Sequence, residues 1–376
     1  MIKRIASIGT GIGIAATLSL STPAAHADEY VYGSWNGPKN VVLTEGVGPY
    51  LDAVKKDTGG SMDWKLIAGA QLFGGRATLA GIQNRVADAG GPVIPAFTRK
   101  ALRTANVVYD LVNASEIPVA MAGATAETYH LDCPECKADF DKNNTVFIAN
   151  YASPRFNLLC GKPVKTAEDV KGLKIRVVGA LGRYLKSLGA VPVGGPPTKA
   201  VQAMQRGNLD CIAGPASWLK SFGMWDITES ILDAPLAIQP TPSAMVINKD
   251  VWKGLTRKER EVMLRHAPRL IANITINGYM AEDREVRAEA AKRGIAITKA
   301  GKDILGPLAV HKKNEPAVIA AVARKEGVKN PEAIIEAHTA NVAKWEKIHA
   351  ETGDDVDKFA QALWDEVFSK LDPDKL

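Results

Sequence analysis

The chain has 376 residues, 46% of them hydrophobic, with 47 Lys plus Arg against 41 Asp plus Glu. That composition excludes a disordered chain and a small disulfide scaffold, and the length predicts two or three domains. The net charge of +6 is spread along the chain rather than massed in one run. This argues against nucleic acid as the main partner and is compatible with an anionic small-molecule ligand.

Residues 1–27 read as an export segment. Lys3 and Arg4 precede the uncharged, mostly apolar or small run "IASIGTGIGIAATLSL", and Ala25-His26-Ala27 fits the small-x-small cleavage rule. The mature chain is expected to begin at Asp28. The run is too short and too rich in Gly, Ser and Thr for a membrane anchor, and no later run of 18 apolar residues occurs. The expectation is an exported, soluble, periplasmic protein. An oxidising compartment favours disulfides among Cys133, Cys136, Cys160 and Cys211, which allow three pairings. A cysteine-rich zinc site and free thiols remain as alternatives. A redox-catalytic role is disfavoured because "DCPEC" follows no clear strand and opens no clear helix.

"EYVYGSW" alternates and is rich in β-formers, so it predicts a first strand ending near Trp35. "NVVLTEGVGPYLDAVKKDTGG" predicts a helix closed by Gly59-Gly60. "DWKLIAG" follows as a strand, "FGGRATLAGIQNRVADAG" as a helix, and "ADAGGPVIPAF" as a buried strand. This βαβαβ run signals a largely parallel sheet. "TVFIANYASPRFNLLCG" is one long β-rich run. Thr166 and Asp169 resemble a capping box opening a short helix that stops at Gly172. The strand "LKIRVVG", a helix to Gly189, the strand "AVPVGG", a helix to Gly207 and the strand "LDCIAG" complete a second α/β unit over roughly 153–240. A further capping box, Thr256 with Glu259, opens a helical pattern that runs to Gly294 and is interrupted only at Pro268. Pro268–Arg293 would span about 39 Å, enough to lie across two domains. Two α/β units with a cleft between them form the default ligand clamp. The expected lobes are 28–152 with 241–280, and 153–240 with 281–376, the segment after 295 buttressing the second.

Catalytic signatures are missing. There is no G-x-S-x-G elbow, no H-E-x-x-H and no phosphate-binding P-loop. His130, His266, His311, His338 and His349 show no metal-ligand spacing and read as solvated or capping residues. No metal and no cofactor is expected. Arg176 is more telling, because it sits inside the apolar strand "LKIRVV". Charge is costly in apolar surroundings unless it is paired. The bland alternative is an edge-strand arginine facing water. The functional one is a guanidinium fork holding a ligand carboxylate. Arg155, in "SPRFN", is a second candidate, with a plain surface loop as its alternative.

Around these residues "KTAEDVKGLKIRV", "LKSLGAVPV" and "AVQAMQRGNLD" resemble the extracytoplasmic solute-binding proteins of TRAP transporters, the C4-dicarboxylate-binding-protein-like family. "AGAQLFGGRATLAGIQNRVADAG" resembles the family's Gly-Gln-Leu-Gly segment, which contains Gln71. "MVINKDVWKGLTRKEREVM" resembles the stretch before its long helix. The resemblance spans roughly 30–295. It implies a two-domain periplasmic-binding-protein clamp, a carboxylate anchor at Arg176 and a second arginine at Arg155. It also implies closure on the ligand, docking onto membrane permease subunits, and no catalysis.

The departures from the family pattern concern the pocket. Lys199 stands where an acid is often found. "CIAGPASW" and "GGPVIP" carry no charge, and the first strand ends in Trp35-Asn36. A weakly polar pocket follows, with Trp35 and Trp218 as aromatic walls for an aromatic acid or an alkylated cation; plain core packing is the alternative for each. The leading reading is a periplasmic receptor of a TRAP permease for a small organic carboxylate. A clamp of another transporter or sensor is the runner-up, and an exported enzyme comes last.

Overall fold

The computed structural model describes Met1 and residues 29–376; the export segment and its cleavage point lie outside the described residues, Met1 apart. The chain is mixed α/β with two separate sheets. The first holds β1 (Tyr30–Ser34), β2 (Trp64–Ile67), β3 (Ala89–Gly91), β4 (Thr145–Asn150) and β10 (Ser243–Asn248), in the order β2-β1-β3-β10-β4. The second holds β5 (Asn157–Cys160), β6 (Lys174–Arg176), β7 (Val191–Val193), β8 (Cys211–Gly214), β9 (Ser230–Asp233) and β11 (Ala296–Lys299), in the order β11-β9-β5-β8-β6-β7.

The expected βαβαβ opening is present: β1 pairs in parallel with β2 and with β3. The "TVFIAN…NLLCG" run is not one strand. It is β4 in the first sheet and β5 in the second, and Tyr151–Phe156 crosses between them. The chain returns from β9 to β10 alongside it. Tyr151 N–H donates to Pro242 O, Ser153 N–H to Gln239 O, and Phe156 N–H to Ala237 O. Each crossing delivers the one strand that runs against its sheet, β5 in the second and β10 in the first. The lobes are thus joined by a hydrogen-bonded pair of extended segments rather than by a loose linker.

A third connection is helical. Arg257–Ala272, Asn273–Met280 and Ala281–Lys292 run on without a break. The capping box of Thr256 and Glu259 opens this element as expected. Pro268 does not interrupt it, because a proline removes one backbone hydrogen bond and the helix carries on around it. The irregularity lies later, in the wider turns of Asn273–Met280. At roughly 50 Å the element reaches from the first lobe to the second.

The C-terminal helices depart from the sequence reading. Pro331–Thr352 packs on Pro118–Glu127 of the first lobe, and Val356–Glu366 packs on Arg257–Ala272. "PVAMAGATAE" presents small residues, so the partner helix comes close. A Cβ on Gly123 would lie 2.2 Å from the Trp345 ring. The Trp345 indole donates to Glu127 Oε2 at 2.6 Å. Lys302–Lys325 and the Glu326 that caps it touch both lobes, through Tyr184 Oη to Ile304 O at 2.7 Å and Arg99 Nε to Glu326 Oε1 at 2.6 Å.

All four cysteines are paired, Cys133 with Cys136 and Cys160 with Cys211. The second pair staples opposite residues of β5 and β8. "DCPEC" does open a helix, against expectation. Cys133 caps Pro134–Lys142, its Sγ accepting from the Cys136 N–H, with Pro134 at the first helical position where no N–H is needed.

Candidate functional site

Parallel strands leave their carboxyl ends and following loops free to gather side chains. Here those ends converge on a cleft between the lobes. Trp35 follows β1, Ile94 follows β3, Val178 follows β6 and Trp218 follows β8. The crossing pair adds Tyr151, Ser153, Phe156, Gln239 and Pro242, and the long helix adds Tyr279. Eight of the lining residues are aromatic and one, Arg176, is charged.

Arg176 ends β6 and is 3% exposed. Its Nε donates to Gly195 O at 2.8 Å and its Nη1 to Ala213 O at 3.4 Å. Its guanidinium carbon lies 5.3 Å from the centre of the Trp218 ring. No carboxylate among the described residues pairs with it. Burial pushes the guanidinium down to about 10, partly offset by Tyr109, so it stays charged at neutral pH. A buried cation on neutral carbonyls and an aromatic face is under-compensated, and an incoming carboxylate supplies the missing partner.

The tryptophan beside it is fixed from several sides. Its ring lies on Gly214, where a Cβ would come within 2.3 Å. Phe156 and Phe222 meet it edge-on at 5.4 and 5.2 Å. Asp283 and Glu282 of the long helix accept from Ser217 N–H and from the Ser221 hydroxyl, anchoring the segment on which it stands. Opposite, Trp35 donates Nε1–H to Pro92 O at 2.8 Å and packs with Ile94, Tyr109, Val178 and Phe222, so one apolar cluster includes residues of both lobes. Tyr151 and Tyr279 stack at 5.6 Å. Burial pushes the Tyr109, Tyr151 and Tyr279 hydroxyls well up, so they remain protonated.

Residues 34–309 match the family described as bacterial extracellular solute-binding protein, family 7. The chain belongs to this family. Solved structures of similar fold include a TRAP solute binding protein from Rhodoferax ferrireducens with copurified benzoate, at 20% identity and a TM-score of 0.73 over 85% of this chain and 99% of that one. Another, from Bordetella bronchiseptica, holds (R)- and (S)-mandelate, at 22% identity and 0.71 over 84% and 99%. A third, from an unidentified marine microbe, is specific for aromatic acid ligands and holds 3-hydroxybenzoate, at 17% identity and 0.74 over 84% and 98%. At these identities the likeness establishes the two-domain clamp fold.

In this family 7 protein the residues singled out in the sequence separate into two groups. Arg176, Trp218 and Trp35 come together in the cleft. Arg155, Asn36 and Gln71 are not among its lining residues. Arg155 is exposed, 3.8 Å from Glu116, and lines a separate open groove with Arg284, Arg287 and Lys299. The reason is a local irregularity in the crossing pair. Between the Ser153–Gln239 and Phe156–Ala237 hydrogen bonds one segment advances three residues and the other two, around Pro154, which has no N–H. The alternation changes phase, Phe156 turns into the cleft and Arg155 turns out. Asn36 is buried in the first lobe and pairs with Asn40 at 3.2 Å. Gln71 is exposed after the left-handed residues Gly69 and Ala70.

Tyr109, Tyr151, Phe156, Gln239 and Tyr279 went unnoticed in the sequence. Their segments read as strand, crossing or helix, and nothing local marks which face meets the other lobe. Among the described residues no helix is long and apolar enough to cross a membrane.

Proposed function

We propose that this chain is the periplasmic receptor of a TRAP transporter, closing its two lobes on a small organic monocarboxylate and presenting it to the membrane permease without a chemical step. One observation carries the reading: a buried arginine with no protein carboxylate, at the wall of an aromatic cleft between hydrogen-bonded lobes. Membership of a solute-binding family supports it, as do the acids held by proteins of the same fold. Arg176 is the anchor; Trp218 and Trp35 are the flat walls. The aromatic lining favours a ring or another weakly polar body, because a sugar acid would leave its hydroxyls against carbon.

Thermal-shift screening of the exported chain against organic acids tests the proposal, since a ligand bound only by the native state raises its melting temperature by mass action. Aromatic monocarboxylates should give the largest shifts. A panel in which only sugar acids, amines or neutral compounds stabilise the protein would contradict it.

A further inference from the structure

The cleft contains a buried side-chain amide that the carboxylate anchor leaves unexplained. Gln239 is 5% exposed and lines the same aromatic walls as Arg176. Its backbone is fully engaged in the crossing pair: its N–H donates to Ser153 Oγ at 3.0 Å, and its carbonyl accepts from Ser153 N–H at 3.0 Å. The residue is therefore held in place. Its side chain is not satisfied, because neither Oε1 nor Nε2 has a protein partner. A buried amide without partners costs free energy, and a ligand group that both donates and accepts would satisfy it.

Charge narrows the choice further. Arg176 is the sole charged side chain in the lining, so a second carboxylate would lie against aromatic carbon with no cation to meet it. We infer that the ligand is a flat monocarboxylate bearing one neutral hydrogen-bonding substituent, a hydroxyl or an amide, and that Gln239 is the residue that reads that substituent. This deepens the receptor reading above and rests on it. A hydrogen-bonding pocket discriminates more sharply against an analogue lacking the polar group than an apolar pocket discriminates by size.

The test is calorimetric titration of the exported chain with benzoate, the three hydroxybenzoate isomers and isophthalate. Native protein should bind the best hydroxybenzoate at least about tenfold more tightly than benzoate, and should reject isophthalate. Gln239→Leu should lose the preference for the hydroxyl, its benzoate and best hydroxybenzoate affinities falling within about threefold of each other. Gln239→Met serves if the leucine variant fails to fold by circular dichroism. A hydroxyl preference that survives in a folded variant, equal native binding of benzoate and all three isomers, or isophthalate binding as tight as benzoate would overturn the assignment of Gln239 while leaving the receptor reading intact. No binding of any of these acids would overturn the assignment, and a thermal-shift panel without any carboxylate ligand would overturn the receptor reading as well.

Discussion

Arg176 was legible in the sequence because the signal is local: a guanidinium inside "LKIRVV" has to be explained by whatever it meets. Trp218 and Trp35 were legible for a similar reason, standing just beyond strand ends. Arg155 carried no comparable signal, and the proline before it changes which neighbour faces inward. Two outcomes follow from its outward position beside Glu116. Arg155→Ala should leave ligand affinity within about twofold of native, since an exposed long pair contributes under about 1 kcal/mol even to stability. Trp218→Leu should weaken binding about fivefold or more, because it removes a ring face worth about 1 kcal/mol to the adjacent cation. Titration of both variants checks this; a reversed order would place the second polar contact at Arg155 after all.

At the scale of elements, strand and helix positions in the two α/β units followed from capping boxes and glycine stops: Thr166 with Asp169 and Thr256 with Glu259 both form reciprocal caps. The lobe boundary expected at 152/153 falls inside "TVFIANYASPRFNLLCG", between β4 and β5, but the limits of the two strands were not legible, because both halves have the same β-rich character and only tertiary pairing separates them. The docking of the C-terminal helices was equally hidden, and His338 shows why. It read as a solvated histidine but is fully buried against Pro118–Glu127 and the turn after it, with Nδ1 3.0 Å from Thr128 Oγ1 and Nε2 without a partner. Burial pushes its imidazole down to about 4. His130, half-buried, is held at about 4 by desolvation despite its contact with Ile148 O. The unfolded chain binds these protons near the ordinary value of about 6.5, so it holds more protons than the folded state between about 6.5 and 4. Stability therefore falls as pH drops through that window, by about 3 kcal/mol for each histidine at most. Urea unfolding of His338→Gln should show a smaller loss of stability than native between about pH 7 and 4.5, by up to about 3 kcal/mol. An unaltered pH slope in the variant would mean that His338 is not the neutral, buried group described.

The whole molecule is organised by what crosses between lobes, and this was only partly legible. A long helix over two domains was expected from periodicity alone. The residues the crossings bring to the cleft were not, since Tyr151, Gln239 and Tyr279 are adjacent only after both lobes are assembled. A polar contact also bridges the two lobes. Asp110 of the first lobe is fully buried, with Arg99 at 3.1 Å and Arg183 of the second lobe at 3.6 Å. Arg183 also donates Nε–H to Glu315 Oε1 at 2.6 Å, on the helix that touches both lobes. Removing one member of such a network leaves the others uncompensated. Small-angle scattering of Arg183→Ala without ligand should therefore show a larger radius of gyration than native protein, and an identical radius in a folded variant would show that the network does not hold the lobes together.

The central claim is that one buried guanidinium anchors the ligand, and calorimetric titration of Arg176 variants with the acid giving the largest thermal shift tests it most directly. Truncating one partner of a desolvated charge pair costs about 2–5 kcal/mol, so Arg176→Ala should lose about 30-fold to several-thousand-fold in affinity while keeping a native circular dichroism spectrum. Arg176→Lys should lose most of the affinity as well, because a flexible point charge cannot present two parallel donors. Near-native affinity in folded Arg176→Ala would contradict the account.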